Sequence, residues 1–269
     1  MRAVINDITM AYEDHGSGPA VLLIHGFPLC RRMWHPQVQA LTAAGFRLII
    51  PDLRGFGESD APEGPYSMEL FADDIIGLLD YLGIEPAVIG GMSMGGYILF
   101  NLLERYPQRV SGACFIVTRA NADDEAGKAR RLQLAKDVQK FGPHVVADSF
   151  EQLLFAEESL TERPKLLAEV YGWMTANDSR GIAGGLMAMR ERKDYTPLLG
   201  GFTVPALAIG AEEDKAAPLG NARAIAAGIP GCRLSIISHA GHMANLEHPA
   251  AFNGALLDLL REIGGRSQQ

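Results

Sequence analysis

The segment Gly91-Met92-Ser93-Met94-Gly95 directly follows Gly90 and the apolar run Ala87-Val88-Ile89. That order reads as a strand, a sharp turn and a helix, with the Ser93 hydroxyl pushed out at the end of the strand. The glycines two residues to either side are a steric demand, because a β-carbon at Gly91 or Gly95 would collide across so tight a turn. The N–H of Met94 begins the helix and can face a negatively charged oxygen. A glycine-rich turn that merely contains a serine would show the same short pattern, so its surroundings decide the matter.

Those surroundings alternate between strand-like and helix-like stretches. Apolar runs occur at Val21-Leu22-Leu23-Ile24, Arg47-Leu48-Ile49-Ile50, Ala87-Val88-Ile89 and Ala113-Cys114-Phe115-Ile116-Val117, and later at Ala206-Leu207-Ala208-Ile209 and Leu234-Ser235-Ile236-Ile237. Continuous rather than alternating apolarity is the mark of strands covered on both faces. The residues before Gly16 are expected to form an antiparallel edge pair. Helical spacing appears at 68–82 with Ser67 as N-cap, at 94–106 up to Pro107, and at 250–263 up to Gly264-Gly265. The pattern predicts an α/β fold: a doubly wound, mostly parallel sheet of about eight strands flanked by helices.

The alternation breaks between 119 and 203. Amphipathic helical segments are expected there at 125–140, 145–156 and 161–175, with no convincing strand. An insertion at the carboxyl end of a strand lies over the edge where such sheets bind ligands. Residues 119–203 are therefore expected to form a helical lid on a core built from 1–118 and 204–269. Phe150, Leu154, Phe155, Trp173, Met174, Met187 and Met189 could wall a pocket beneath it, although ordinary helix packing is the better account of any single one. Residues 266–269 are expected to fray.

A serine hydroxyl is a poor nucleophile until a base takes its proton. Where a serine sits on such a turn, an acid and then a histidine follow along the chain. After the run ending at Ile209 comes Glu212-Glu213-Asp214, and after the next comes His239-Ala240-Gly241-His242. Both stretches fall on loops at the same sheet edge as Ser93. His242 is the expected base, with His239 and His248 as competitors; Gly241 would let the backbone turn its imidazole over the sheet edge. Asp214 is the expected orienting acid, with Glu212 and Glu213 as competitors. A second donor for an oxyanion should come from His25-Gly26-Phe27-Pro28. Phe27 is the expected donor, since Pro28 has no N–H, and His25 reads as a structural histidine.

Composition removes other classes. The 269 residues are 48% hydrophobic and carry a net charge of 24 − 32 = −8, with basic residues only in short pairs such as Arg31-Arg32 and Arg130-Arg131. Nucleic acid and anionic membranes both need a concentrated positive face, so neither is expected as a partner. The first ten residues scatter charged and polar groups and contain no secretory apolar core, and no apolar stretch reaches a membrane span. Cys30, Cys114 and Cys232 read as reduced thiols, and a cytoplasmic protein is expected. No ligand-spaced histidines or cysteines point to a metal, and no phosphate-binding glycine fingerprint points to a nucleotide cofactor.

Taken jointly, His25-Gly26-Phe27-Pro28, Pro51-Asp52-Leu53-Arg54-Gly55-Phe56-Gly57-Glu58-Ser59, Gly91-Met92-Ser93-Met94-Gly95-Gly96, Asp214 and Gly241-His242 resemble the α/β-hydrolase fold superfamily. Within it the chain resembles small bacterial carboxylesterases and 3-oxoadipate enol-lactonases. Thr118-Arg119-Ala120-Asn121-Ala122 is similar to a motif that usually begins with aspartate; Val117-Thr118 here removes an alternative acid and favours Asp214. Dehalogenases and epoxide hydrolases of this superfamily use an aspartate at the turn, where this chain has Ser93. The resemblance implies a cofactor-free serine carboxylesterase for small esters. A lactonase, a perhydrolase and a non-catalytic ligand sensor are the alternatives. Trp34, Arg119, Phe155, Trp173 and Met187 are the expected pocket residues. An anionic substrate would need a nearby cation, for which Arg119 is the candidate, a surface salt bridge being its more ordinary job.

Overall fold

The computed structural model describes residues 1–266; of the segment 266–269 expected to fray, Arg266 instead closes the last helix, and 267–269 lie outside the described residues. Eight strands form one sheet in the order β1-β2-β4-β3-β5-β6-β7-β8. β1 (Arg2–Ile5) and β2 (Ile8–His15) are the antiparallel edge pair, and β2 also runs antiparallel to β4 (Arg47–Pro51). The rest pair in parallel: β3 (Ala20–Ile24), β4, β5 (Ala87–Met92), β6 (Val110–Ile116), β7 (Ala206–Ala211) and β8 (Arg233–Ile237).

Alternate residues of each strand feed opposite faces, so one run of β-branched and leucine side chains supplies two apolar layers. Leu22, Ile24, Ile49 and Ile89 pack with α2 (Met68–Tyr81), α3 (Met94–Arg105) and α9 (Gly220–Gly228). Val21, Leu23, Leu48, Ile50 and Val88 pack on the other face with α1 (His35–Ala43) and α11 (Pro249–Arg266). Each such side chain, wholly removed from water, stabilises the fold by about 1.5–3 kcal/mol. α2 is capped as its sequence suggests, the Ser67 hydroxyl accepting from Leu70 N at 3.1 Å.

β8 departs from expectation. It is the outer strand of the sheet, and its Leu234 and Ile236 are exposed rather than buried.

Between β6 and β7 lie α4 (Glu125–Phe141), α5 (His144–Leu154), α6 (Glu157–Glu162), α7 (Pro164–Thr175) and α8 (Ser179–Arg190). The single helix expected over 161–175 is two helices. Pro164 has no N–H to continue the first and disfavours helical geometry at Arg163, whose φ and ψ are −121° and 50°. α8 begins where the Asp178 carboxylate accepts from Arg180 N at 2.8 Å. A short helix, α10 (Ala244–Glu247), precedes α11. Among the described residues no helix is long and apolar enough to cross a membrane.

Parallel pairing delivers the carboxyl ends of β3, β5, β6, β7 and β8 to one edge. The loops that follow them carry residues 25–28, 93, 117–119, 212–217 and 238–243.

Candidate active site

Ser93 sits at φ 52° and ψ −110°, a backbone conformation that costs a non-glycine residue about 1–3 kcal/mol. Hydrogen bonds on both sides hold it there. Its N–H donates to Ile116 O at 2.9 Å, and its carbonyl accepts from the Thr118 hydroxyl at 2.7 Å and from Gly96 N at 2.9 Å. Backbone surfaces close the turn from outside. A β-carbon on Gly91 would lie 2.2 Å from Gly95 O and one on Gly95 2.5 Å from Ile24 O, while one on Gly26 would run into the Met92 sulfur. The loop after β3 is thereby wedged against the turn after β5.

Asp214 and His242 meet on the neighbouring loops. His242 Nδ1 donates to Asp214 Oδ2 at 2.7 Å, while Asp214 Oδ1 accepts from the N–H groups of Ala216 and Ala217, each at 2.8 Å. Their side chains are 3% and 0% exposed, so the pair is kept from water. In the neutral ring this bond selects the tautomer with the proton on Nδ1 and the lone pair on Nε2. The competing groups are engaged elsewhere. Glu212 accepts from His239 N at 3.3 Å and Glu213 from Glu157 N at 3.2 Å. His239 is exposed, and His248 Nε2 donates to the His239 carbonyl at 2.9 Å.

Glu247 escaped the sequence reading. It is 2% exposed, and its two carboxylate oxygens accept from Gly241 N at 2.8 Å and from Ala156 N at 2.9 Å. It therefore ties the loop of His242 to the link between α5 and α6. Met243 N adds a bond to Leu154 O at 2.9 Å. Gly241 is required by this contact, since a β-carbon there would lie 2.4 Å from Ala156 N. That close approach takes the place of the turning role expected of it.

His25 is fully buried and neutral. It donates from Nδ1 to Gly26 O at 2.9 Å and accepts from Leu53 N at 3.0 Å on Nε2, and burial lowers its pKa. The neighbouring 51–59 motif is a scaffold. Asp52 accepts from Arg31 N at 2.7 Å, from Glu58 N at 2.8 Å and from the Arg31 guanidinium. Arg54 binds Asp74 through Nε at 2.8 Å and Nη2 at 2.9 Å. The cysteines are free; burial pushes the Cys30 thiol up to about 12 and Cys232 to about 11, which keeps both protonated. Among the described residues no group of three or more His, Cys, Asp or Glu could hold a metal ion.

Ser93, His242 and Phe27 line one cavity of about 340 Å³, a size suited to a small ligand. Met94 is buried at the first position of α3, where its N–H has no partner within the helix. The helices between β6 and β7 contribute Leu134, Phe150, Leu153, Leu186 and Met189 to the cavity. Arg119 lines it too and, among the described residues, forms no salt bridge, contrary to its more ordinary expected job; Arg130, Arg131, Lys215 and Asp123 are there as well.

Four expected pocket residues lie elsewhere. Trp34 is wholly buried beside Phe252, ring centroids 6.1 Å apart, in the apolar layer under α1 and α11. Phe155 is buried in that layer, its backbone against Gly241. Leu154 and Met174 are core residues of the same layer. Trp173 borders a separate cavity with Cys30, Arg31 and Asn177, and Met187 another with Tyr66 and Arg180. Helix rotation explains the last case: Met187 and Met189 are two residues apart, about 200° around α8, so only one can face Ser93.

The chain matches the family described as the alpha/beta hydrolase fold over residues 19–249. A thermophilic esterase from Thermogutta terrifontis superposes with a TM-score of 0.95 at 35% identity, covering 98% of this chain and 99% of that one. The enol-lactonase from Burkholderia xenovorans LB400 gives 0.91 at 30% identity, with 97% and 100% covered. A bromoperoxidase from Bacillus anthracis gives 0.86 at 27% identity, also with 97% and 100% covered. Sheet order, the strained serine turn and these whole-length matches agree, and the chain belongs to the alpha/beta hydrolase fold family.

Proposed function

We propose that the protein is a cytoplasmic serine hydrolase that cleaves carboxylic esters of small, short-acyl substrates through an acyl-enzyme. The observation that carries this reading is the buried Asp214–His242 pair on the same cavity as the strained Ser93. Ser93 Oγ attacks the ester carbonyl carbon and gives its proton to His242 Nε2. Asp214 holds the imidazole in the tautomer that can receive that proton and stabilises the resulting imidazolium. The Phe27 and Met94 amides donate to the oxyanion, each worth about 10²–10³ in turnover. Collapse breaks the C–O bond, and the alcohol leaves with the proton from His242. Water then attacks the acyl carbon, His242 takes its proton, and the acid departs as Ser93 Oγ is reprotonated. Residues 119–203 serve as the lid, over a core of 1–118 and 204–269.

A lactone would be opened by the same steps, its alcohol remaining attached to the product, and the likeness to an enol-lactonase favours this as the second reading. The likeness to a bromoperoxidase keeps perhydrolysis as a further use of the site. A fluorophosphonate probe should label wild-type protein at Ser93 and leave Ser93→Ala unlabelled. Kinetics on esters of increasing acyl length should peak at short chains. Absence of labelling, with no turnover of any ester, would favour a ligand sensor; faster turnover of an enol-lactone than of any ester would reverse the first two readings.

A further inference from the structure

We infer that the substrate carries a carboxylate held by Arg119, so that the site selects anionic esters or lactones over neutral ones. The inference rests on the hydrolase reading of the same cavity and adds the class of substrate. Four cations line that cavity, Arg119, Arg130, Arg131 and Lys215, against the single carboxylate of Asp123, although the whole chain carries −8. Asp123 is already engaged. It accepts from Arg131 Nε and, at 2.7 Å, from Arg192 Nη2, and although burial opposes ionisation, these two guanidiniums hold its pKa down at about 2. Arg131 is thereby paired within the protein, although Asp123 is shared with Arg192. Among the described residues Arg119, Arg130 and Lys215 have no carboxylate within salt-bridge distance, and the nearby Asp214 spends its oxygens on His242 and two amides.

Arg130 and Lys215 are exposed, and either alone would be an ordinary solvated charge. Arg119 is different. It follows Thr118, whose hydroxyl holds the Ser93 carbonyl, and its Nη2 donates to the carbonyl of Ala216, whose N–H holds Asp214. The guanidinium is thus fixed between the turn of Ser93 and the loop of Asp214. Its Nε is enclosed without an acceptor. A placed guanidinium with donors to spare matches a carboxylate in shape and charge, and a site built for one rejects the uncharged analogue. Arg130 and Lys215 would draw the same anion toward the cavity.

The test uses pairs differing in charge alone. Monomethyl succinate against methyl succinamate places the carboxylate on the acyl side; acetoxyacetate against acetoxyacetamide places it on the alcohol side. In at least one pair kcat/KM should favour the carboxylate by about 10–100-fold, as expected for a charge-assisted pair that is partly screened. That ratio should fall toward one in Arg119→Met, recover in part in Arg119→Lys, and shrink at high salt. Arg130→Met combined with Lys215→Met alters two exposed side chains and should lower the ratio by about 2–5-fold; it carries the reading if Arg119→Met fails to fold. Turnover with both ratios at or below one would overturn the anionic site and leave the hydrolase intact. If none of the four compounds is turned over, calorimetry with succinate decides. Binding that weakens in Arg119→Met would keep the anionic site without the hydrolase, and no binding would end both.

Discussion

The two sides of the cavity are built differently. Beneath Ser93, α3 buries every residue from Met94 to Leu103, and backbone meets backbone at Gly91 and Gly95. Across the cavity, α4 buries only Gly127, Ala135 and Val138 of its length, and Arg131 and Lys128 are held by side-chain pairs with Asp123 and Glu125. A backbone contact leaves no freedom to relax, whereas a side-chain pair on a half-exposed helix can be exchanged at small cost. The groups proposed to do chemistry thus sit on the rigid side together with Arg119, and the apolar residues that α4, α5 and α8 bring to the cavity sit on the replaceable one.

The largest effect that would break this contrast concerns Ser93 itself. Ser93→Gly should lower turnover by about 10⁴–10⁶ while raising stability by about 1 kcal/mol, because glycine relieves the strained φ. Ester kinetics and thermal unfolding of the same preparation would show the two moving in opposite directions; a fall in stability would deny the strain. Gly91→Ala places a β-carbon on Gly95 O and should cost about 2–4 kcal/mol by denaturant unfolding.

Glu247→Gln puts an amide where two N–H groups need acceptors. A loss of about 1–3 kcal/mol with a roughly tenfold drop in kcat at unchanged KM would show that this bridge seats the His242 loop. Loss of stability alone would reduce it to a structural tie.

Asp123 tests the soft side through pH. Its folded pKa of about 2 lies below the usual 3.8, so its contribution is complete above about pH 4 and drains as pH falls toward 2. Allowing for solvent screening it amounts to about 1–2 kcal/mol. Unfolding of Asp123→Asn across that window should lack this part of the acid dependence. The smallest effect is Gly172→Ala, on an open face of α7, which should stabilise by about 0.5–1 kcal/mol and leave kinetics alone.

The rigid side was legible in the sequence because its demands are local. Small residues around Ser93, apolar runs of strand length, and Asp214 and His242 each just past such a run all follow from short-range sterics and chain order. The soft side was not. Whether Met187 or Met189 faces Ser93 depends on how α8 is rotated, and Trp34 and Phe155 are apolar in a way that suits a core as well as a pocket. Glu247 was invisible because one of its partners, Ala156, is 91 residues away. Arg119, although on the rigid side, suggested a surface charge pair, and only the fold reveals that no carboxylate among the described residues reaches it.

The carboxylate of Glu247 also acts as a tether. One oxygen grips the elbow between α5 and α6, and the other grips the loop that carries His242. Were residues 119–203 to lift as the proposed lid, the pull on Ala156 would reach Gly241 through the same side chain, so admission of a guest and readiness of the proposed base would be mechanically joined. A molecule caught in that posture would idle until it shut.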